Sequence, residues 1–221
     1  MTGVQTCALP IYSPSLAVWL RAAEVGVDIA NLPEYDQDAL EHLLPRLRAL
    51  TIEEPAPAFR KAQSLLRECG VTLALVPAVP SLGIHGATRW FNERPLIQLS
   101  GLRKTDDQLW FTLFHEIGHV LLHDPKGLYL TDAEDAMEDE ANEYATRLLV
   151  PQEHENRLPK GRNLKAVRDL AEELGIAPSI ALGQAQRLTG DFGWGHQLKR
   201  TVDLTKVRRS EERRVGKECR S

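Results

Sequence analysis

Two histidines four residues apart enclose a glutamate in His115-Glu116-Ile-Gly-His119. On a helix, this spacing puts both imidazoles on one face, a turn apart, where they can reach a single metal ion. The glutamate then stands beside that ion, where metal-assisted hydrolysis needs a general base to take a proton from an attacking water. The flanking residues predict a helix. Thr105-Asp106-Asp107-Gln108 reads as a capping box, and Pro125 and Gly127 end the run. Between them Leu109, Trp110, Leu113, Phe114, Ile117, Val120 and Leu121 form an apolar surface at helical spacing. Histidines in so apolar a helix are costly to bury unless something binds them. Chance alone would produce the five-residue pattern in roughly one chain in a hundred of this length, so a third ligand is needed to give it weight.

No third histidine follows at metzincin spacing, which makes an acidic residue the expected partner. The candidates are Asp132, Glu134, Asp135, Glu138, Asp139, Glu140 and Glu143. Residues 133–149 read as a long helix ended by Pro151, with Ala141, Ala145, Leu148 and Leu149 on its buried face. Glu138 lies on that face, whereas Glu140 and Glu143 lie opposite, Glu143 in i,i+4 register with Arg147. Asn142, one turn after Glu138, is placed to hold a histidine's second ring nitrogen. A Zn2+ ion on His115, His119 and Glu138 would keep its fourth tetrahedral position for water, the arrangement of a catalytic rather than a structural site. Glu116 would be the catalytic base. A donor for the oxyanion is also required, and Tyr144, His123 and His154 are all candidates.

The elements that must position these groups follow from hydrophobic pattern and turn residues. Helices are expected at 15–25, at 36–50 with a kink or break at Pro45, and at 58–69 with Gly70 as its left-handed stop. Strands are expected at 71–79, 84–91 and 95–100, the last two joined by a hairpin loop at 92–94. They predict a small, mostly antiparallel three-stranded sheet just before the histidine helix, where a peptide substrate could add as a further strand. His85, Arg89 and Trp90 lie in this stretch and serve either packing or function. Residues 124–132 read as a loop, and two more helices, 163–174 and 176–188, follow. The expected class is α+β, with the sheet packed on the active-site helix and on further helices.

Both ends of the chain look foreign to it. Residues 1–11 and 209–221 each resemble a translated sequencing adapter, codon by codon. The remainder divides, on this reading, into a helical linker at 12–54, a metallopeptidase domain at 55–160 and a C-terminal helical extension at 161–208. Setting aside 209–221 leaves 22 Lys and Arg against 28 Asp and Glu, an acidic balance that argues against a nucleic-acid footprint. Cys7 and Cys219 fall in the adapter-like ends, so Cys69 is the one other cysteine, too few for an internal disulfide and suited to a reducing cytoplasm. No run is long enough to span a bilayer.

The two metal motifs together resemble a known family. His115-Glu-Ile-Gly-His119 followed by Glu138-Asp-Glu-Ala-Asn142-Glu-Tyr-Ala145-Thr-Arg-Leu-Leu-Val-Pro151 is similar to the ImmA/IrrE metallopeptidases. Their pattern is His-Glu-x-x-His, then Glu-x-x-Ala-Asn-x-Phe-Ala and a Leu-Leu-x-Pro ending; Tyr144 stands in place of the usual Phe. Gly86-Ala-Thr-Arg-Trp90, Leu96-Ile-Gln-Leu-Ser100 and the run from Lys104 to His115 look like the branch fused behind an Xre/HigA-type helix-turn-helix domain, and so do Ile176–Gln186 and Gly195–Arg200. The resemblance covers roughly residues 15–200. It implies a gluzincin-like minimal fold, with zinc held by His115, His119 and Glu138 and with Glu116 as the base. It also implies limited proteolysis, in the cytoplasm, of a repressor or antitoxin-type regulator in a stress, toxin–antitoxin or mobile-element circuit. DNA contact is expected only through a missing N-terminal domain, and no membrane contact is expected. The alternative is a non-catalytic sensor or partner-binding domain of a transcriptional regulator.

Overall fold

The computed structural model describes residues 14–25, 27, 31–77, 79, 82–131 and 136–203. The adapter-like ends and the acidic candidates Asp132, Glu134 and Asp135 lie outside the described residues. The helices are α1 (Pro14–Val25), α2 (Gln37–Ala49), α3 (Pro55–Glu68), α4 (Asp106–Leu122), α5 (Ala136–Leu149), the single turn α6 (Gln152–Glu155), α7 (Leu164–Leu174) and α8 (Pro178–Thr189). With the strands β1 (Thr72–Leu75), β2 (Gly86–Phe91), β3 (Arg94–Leu99) and β4 (Leu128–Leu130) they form an α+β fold. Among the described residues no helix is long and apolar enough to cross a membrane.

The sheet corrects the expectation of three mostly antiparallel strands. It has four, in the order β1-β3-β2-β4, and it is mixed: β1 runs parallel to β3, and the other two pairs are antiparallel. The chain leaving β1 skips one strand position before β2, and the tight β2–β3 hairpin then fills that position, making β1 and β3 parallel neighbours. Asn92 and Glu93 both adopt positive φ, 49° and 60°, as a two-residue hairpin turn of matching twist requires. β4 falls in the segment read as a loop. Three residues are too few to show the alternation by which a strand is recognised.

Both faces of the sheet are covered. Leu73, Leu75, Ile97 and Leu99 meet Phe59 and Leu66 of α3 and Trp110, Leu113, Phe114 and Ile117 of α4 in one apolar core, where Trp110 stacks on Phe59 with ring centres 4.4 Å apart. That core extends from Leu40 in α2 to Val202. On the other face lies α1, with Leu16 and Trp19 against Ala87. Arg89 points to this side, where it donates to Gln98 and to the Leu20 carbonyl and pairs with Glu24. It ties α1 to the sheet. Trp90 packs edge-on against Tyr35.

Two local readings at helices give way: no break occurs at Pro45, and the Thr105 capping bond is absent. α2 runs unbroken through Pro45, because its buried leucines Leu40, Leu43, Leu44 and Leu47 hold both halves against the core. At α4, Thr105 occupies the cap position but its side chain makes no capping bond. The stronger interaction there is nonlocal. The fully buried Asp106 carboxylate accepts from the Arg200 Nε at 2.7 Å, the Arg200 backbone N–H at 2.9 Å and the Ser179 hydroxyl at 2.8 Å. The same guanidinium donates to the carbonyls of Thr51, Ile52 and Glu53. Arg200→Ala leaves Asp106 without its cation, and we expect urea denaturation to show a loss of about 3 kcal/mol, the low end for breaking a buried pair. An unchanged midpoint would show that the backbone and Ser179 bonds suffice for Asp106.

Candidate active site

The apolar stripe predicted for α4 packs on β2, β3 and α5, and it carries His115, Glu116 and His119 into the interior with it. His115 is 1% exposed, and Glu116 and His119 are fully buried. α5 crosses α4 at Gly118, where an added Cβ would lie 3.3 Å from Ala141 Cα and 3.3 Å from the Tyr144 ring. This close approach brings Glu138 onto the two imidazoles. His115 Nε2 lies 3.1 Å from one Glu138 oxygen, His119 Nε2 lies 2.9 Å from the other, and the two Nε2 atoms are 3.1 Å apart.

That triangle fits a metal ion better than a hydrogen-bond network. Tetrahedral ligands at about 2.0–2.1 Å from zinc stand about 3.3 Å from one another, so shifts of a few tenths of an ångström would admit the ion. All three groups present acceptor lone pairs to one point, and a purely hydrogen-bonded arrangement would need protons that neutral imidazoles cannot all supply there. Among the described residues, His115, His119 and Glu138 form a buried set whose ligand atoms lie within 4.8 Å of one another. The donor set of two imidazoles and one carboxylate is that of a catalytic metal centre with an open position. The other described acidic candidates are elsewhere: Asp139 is exposed, Glu143 pairs with Arg147, and Glu140 faces His123.

The two carboxylates of the site have opposite electrostatics. Burial alone would raise the Glu138 carboxyl, but close contact with His115 and His119 and their charge outweigh it and bring it down to about 2. Burial raises the Glu116 carboxyl above its ordinary range, against the pull of His115, His119 and two hydroxyls. Burial opposes protonation of His115, yet its contacts with Glu138, Glu116 and Asn142 raise its proton affinity overall. Asn142 therefore acts on His115, although Nδ1 of that ring makes no hydrogen bond of full geometry.

Several residues of the site have no signal in the sequence. Thr88 on β2 donates to Glu116 at 2.7 Å, and Thr131, just after β4, donates to the other Glu116 oxygen. Tyr129 on β4 stacks flat on His119, rings 4.7 Å apart and 10° from parallel, while its hydroxyl donates to the Asp124 carbonyl. Thr88 and Thr131 are 28 and 15 residues from Glu116 along the chain, and the sheet pairing brings them in. The three oxyanion candidates separate. His123 has both ring nitrogens engaged, one with His119 and one with Glu140. Tyr144 packs its ring at Gly118, and burial together with the charge of Glu41 pushes its phenol up to about 12. His154 lies beside Arg157 and Glu173.

Residues 80–182 match a peptidase family described as the IrrE N-terminal-like domain. The match spans β2 to α7 and so takes in every group of the site. No curated protein matches the chain.

Gly86 tests how tightly the base is held. A Cβ there would stand 2.2 Å from an oxygen of the fully buried Glu116 carboxylate and 2.9 Å from Thr112 Cγ2. Gly86→Ala should destabilise the fold by about 1–3 kcal/mol, as overpacking does, measurable by urea denaturation. A neutral substitution would mean that Glu116 has room to move.

Proposed function

With residues 80–182 placing this chain in the ImmA/IrrE peptidase family, we propose that it is a zinc-dependent endopeptidase with a gluzincin-like site. The observation that carries the reading is the buried triangle of His115, His119 and Glu138 with Glu116 held beside it. Zinc, when bound, would polarise the scissile carbonyl and make a water acidic enough to attack it near neutral pH. Two imidazoles and one carboxylate with an open position suit that ion.

The chain's own residues divide the remaining work. Thr88 and Thr131 keep the Glu116 carboxylate from turning away, and its raised proton affinity suits it to take a proton from water and return it to the leaving amine. Tyr129 fixes the plane of the His119 ring. β4 is the outermost strand of the sheet on this side, and a substrate peptide laid along it would pass the metal site. The proposed substrates are regulatory proteins of the repressor or antitoxin type. The proposed setting is a reducing cytoplasm, in keeping with the buried, unpaired Cys69. A DNA-binding partner domain belongs to the same proposal.

Three forms of the full chain test it. The unaltered protein should hold one zinc per chain, Glu138→Ala should lose it or bind it far more weakly, and Glu116→Gln should keep it. In cells, labelling of newly created protein N-termini should show ends made by the unaltered protein, with Glu116→Gln at least about 100-fold slower at making them. Identical sets of ends in the two strains would replace the peptidase reading with a sensor or partner-binding domain.

A further inference from the structure

His123 does not behave as a surface residue at a helix end. Its backbone leaves α4 in an extended conformation, φ −118° and ψ 166°. The side chain, only 4% exposed, folds back beneath the last turn. There its ring lies 4.9 Å from that of His119 and 5.2 Å from that of Tyr129. Nδ1 of His123 is 2.8 Å from Nδ1 of His119, and Nε2 of His123 is 3.1 Å from a Glu140 carboxylate oxygen.

With both imidazoles neutral, as ligation of a metal ion by His119 requires, proton bookkeeping along this row has one consistent solution. An ionised carboxylate only accepts, so the Nε2 of His123 carries a hydrogen and donates it to Glu140. A neutral imidazole with its hydrogen on Nε2 has a lone pair on Nδ1. One hydrogen bridges the two Nδ1 atoms, and it therefore belongs to His119. His119 is left with its Nε2 lone pair directed at His115 and Glu138. The reverse assignment would aim the His123 Nε2 lone pair at the Glu140 anion, two acceptors 3.1 Å apart with nothing between them.

We propose that Glu140 and His123 are positioning residues that set the tautomer and ring orientation of His119 for a metal ion, through the row Glu140–His123–His119. The inference rests on the zinc site proposed above and goes beyond it in assigning two residues outside the ligand set. α5 supplies both ends of the arrangement, Glu138 to the metal and Glu140, two residues on, to the far end of the row. Tyr129 covers one side of both imidazoles, which keeps the row from being broken by water. Glu140 itself is largely exposed, so its charge acts through a solvent-screened contact and its removal has the smaller effect.

Zinc alone is the probe, with affinity read by competition against a chromophoric chelator. His123→Ala should weaken zinc binding by about 10–100-fold, the usual range for a hydrogen-bond partner of a ligating histidine. His123→Asn, whose side-chain oxygen can occupy the place of Nδ1, should recover most of the loss, and Glu140→Gln should fall between His123→Ala and the unaltered chain. In the unaltered, zinc-loaded, 15N-labelled protein, a nitrogen–nitrogen coupling across the hydrogen bond should connect the two Nδ1 atoms, with the proton assigned to His119. This last measurement needs no variant and stands even if His123→Ala fails to fold. Unchanged zinc affinity in a folded His123→Ala overturns the row and leaves the peptidase reading intact, as does a proton found on Nδ1 of His123. An unaltered chain that binds no zinc overturns both.

Discussion

Two imidazoles and two carboxylates share one apolar helix crossing, and water reaches almost none of them. An ionisable group in such a place is destabilising unless another group answers it, so α4 and α5 must lie close together and in one register. Gly118 and Ala141 permit that approach. A larger side chain at Gly118 would force the helices apart, Glu138 would withdraw from His115 and His119, and each would be left uncompensated in the core. The intervening residues of the histidine motif are therefore not interchangeable. Ile117 is fully buried in the core and Gly118 sets the spacing to α5.

The same crossing explains why two glutamates of one site have different chemistry. Glu138 lies against the Nε2 atoms of both imidazoles, which hold its carboxyl well below the usual range, so it stays an anion at any ordinary pH. Such a group suits a cation. Glu116 is fully buried, and among the described residues its oxygens accept from two hydroxyls, so its charged form is less well supported and its proton affinity rises. Such a group suits the transient holding of a proton. Environments that push two carboxyls in opposite directions are how a single protein assigns them separate roles. Neither side chain's type decides the matter, since both are glutamate.

Local chemistry made the helices legible, and the residues that failed to follow it were overruled from a distance. Asn163 caps α7 by accepting from the Ala166 N–H, and Gly175 ends it with φ 63°, both as residue type demands. Thr105 should have capped α4 in the same way. Asp106 beside it is instead drawn to Arg200, 94 residues on, and the local motif gives way. The burial of Glu138 beside the two histidines was legible because it shares a helical face with Ala141 and Ala145, and burial follows face. Thr88, Thr131 and Tyr129 were not, because nothing in their own neighbourhoods distinguishes them from ordinary strand residues. Their roles arise from the pairing of β2 with β4, a strand of three residues. The parallel β1–β3 contact was hidden for a related reason: strand sense depends on the path between strands, and hydrophobic pattern is silent about path.

A site of this kind also constrains residues that carry none of its chemistry. Sliding α4 by one residue would move each histidine about 1.5 Å along the axis and turn it by about 100°, enough to take both imidazoles off the face that meets Glu138. The helix is fixed against this at both ends. At its start, Asp106 is held by Arg200 and Asp107 by Lys199 at 2.7 Å, and Thr105 pairs with Thr201 as an isolated bridge. At its close, His123 turns back under the final turn while Tyr129 lies against His119. Preorganised ligands held on rigid elements are what a metal site needs for affinity and geometry together. The segment around residues 199–202, which contacts the start of α4, therefore belongs to its mechanics: it holds the helix in the one register that makes the triangle possible.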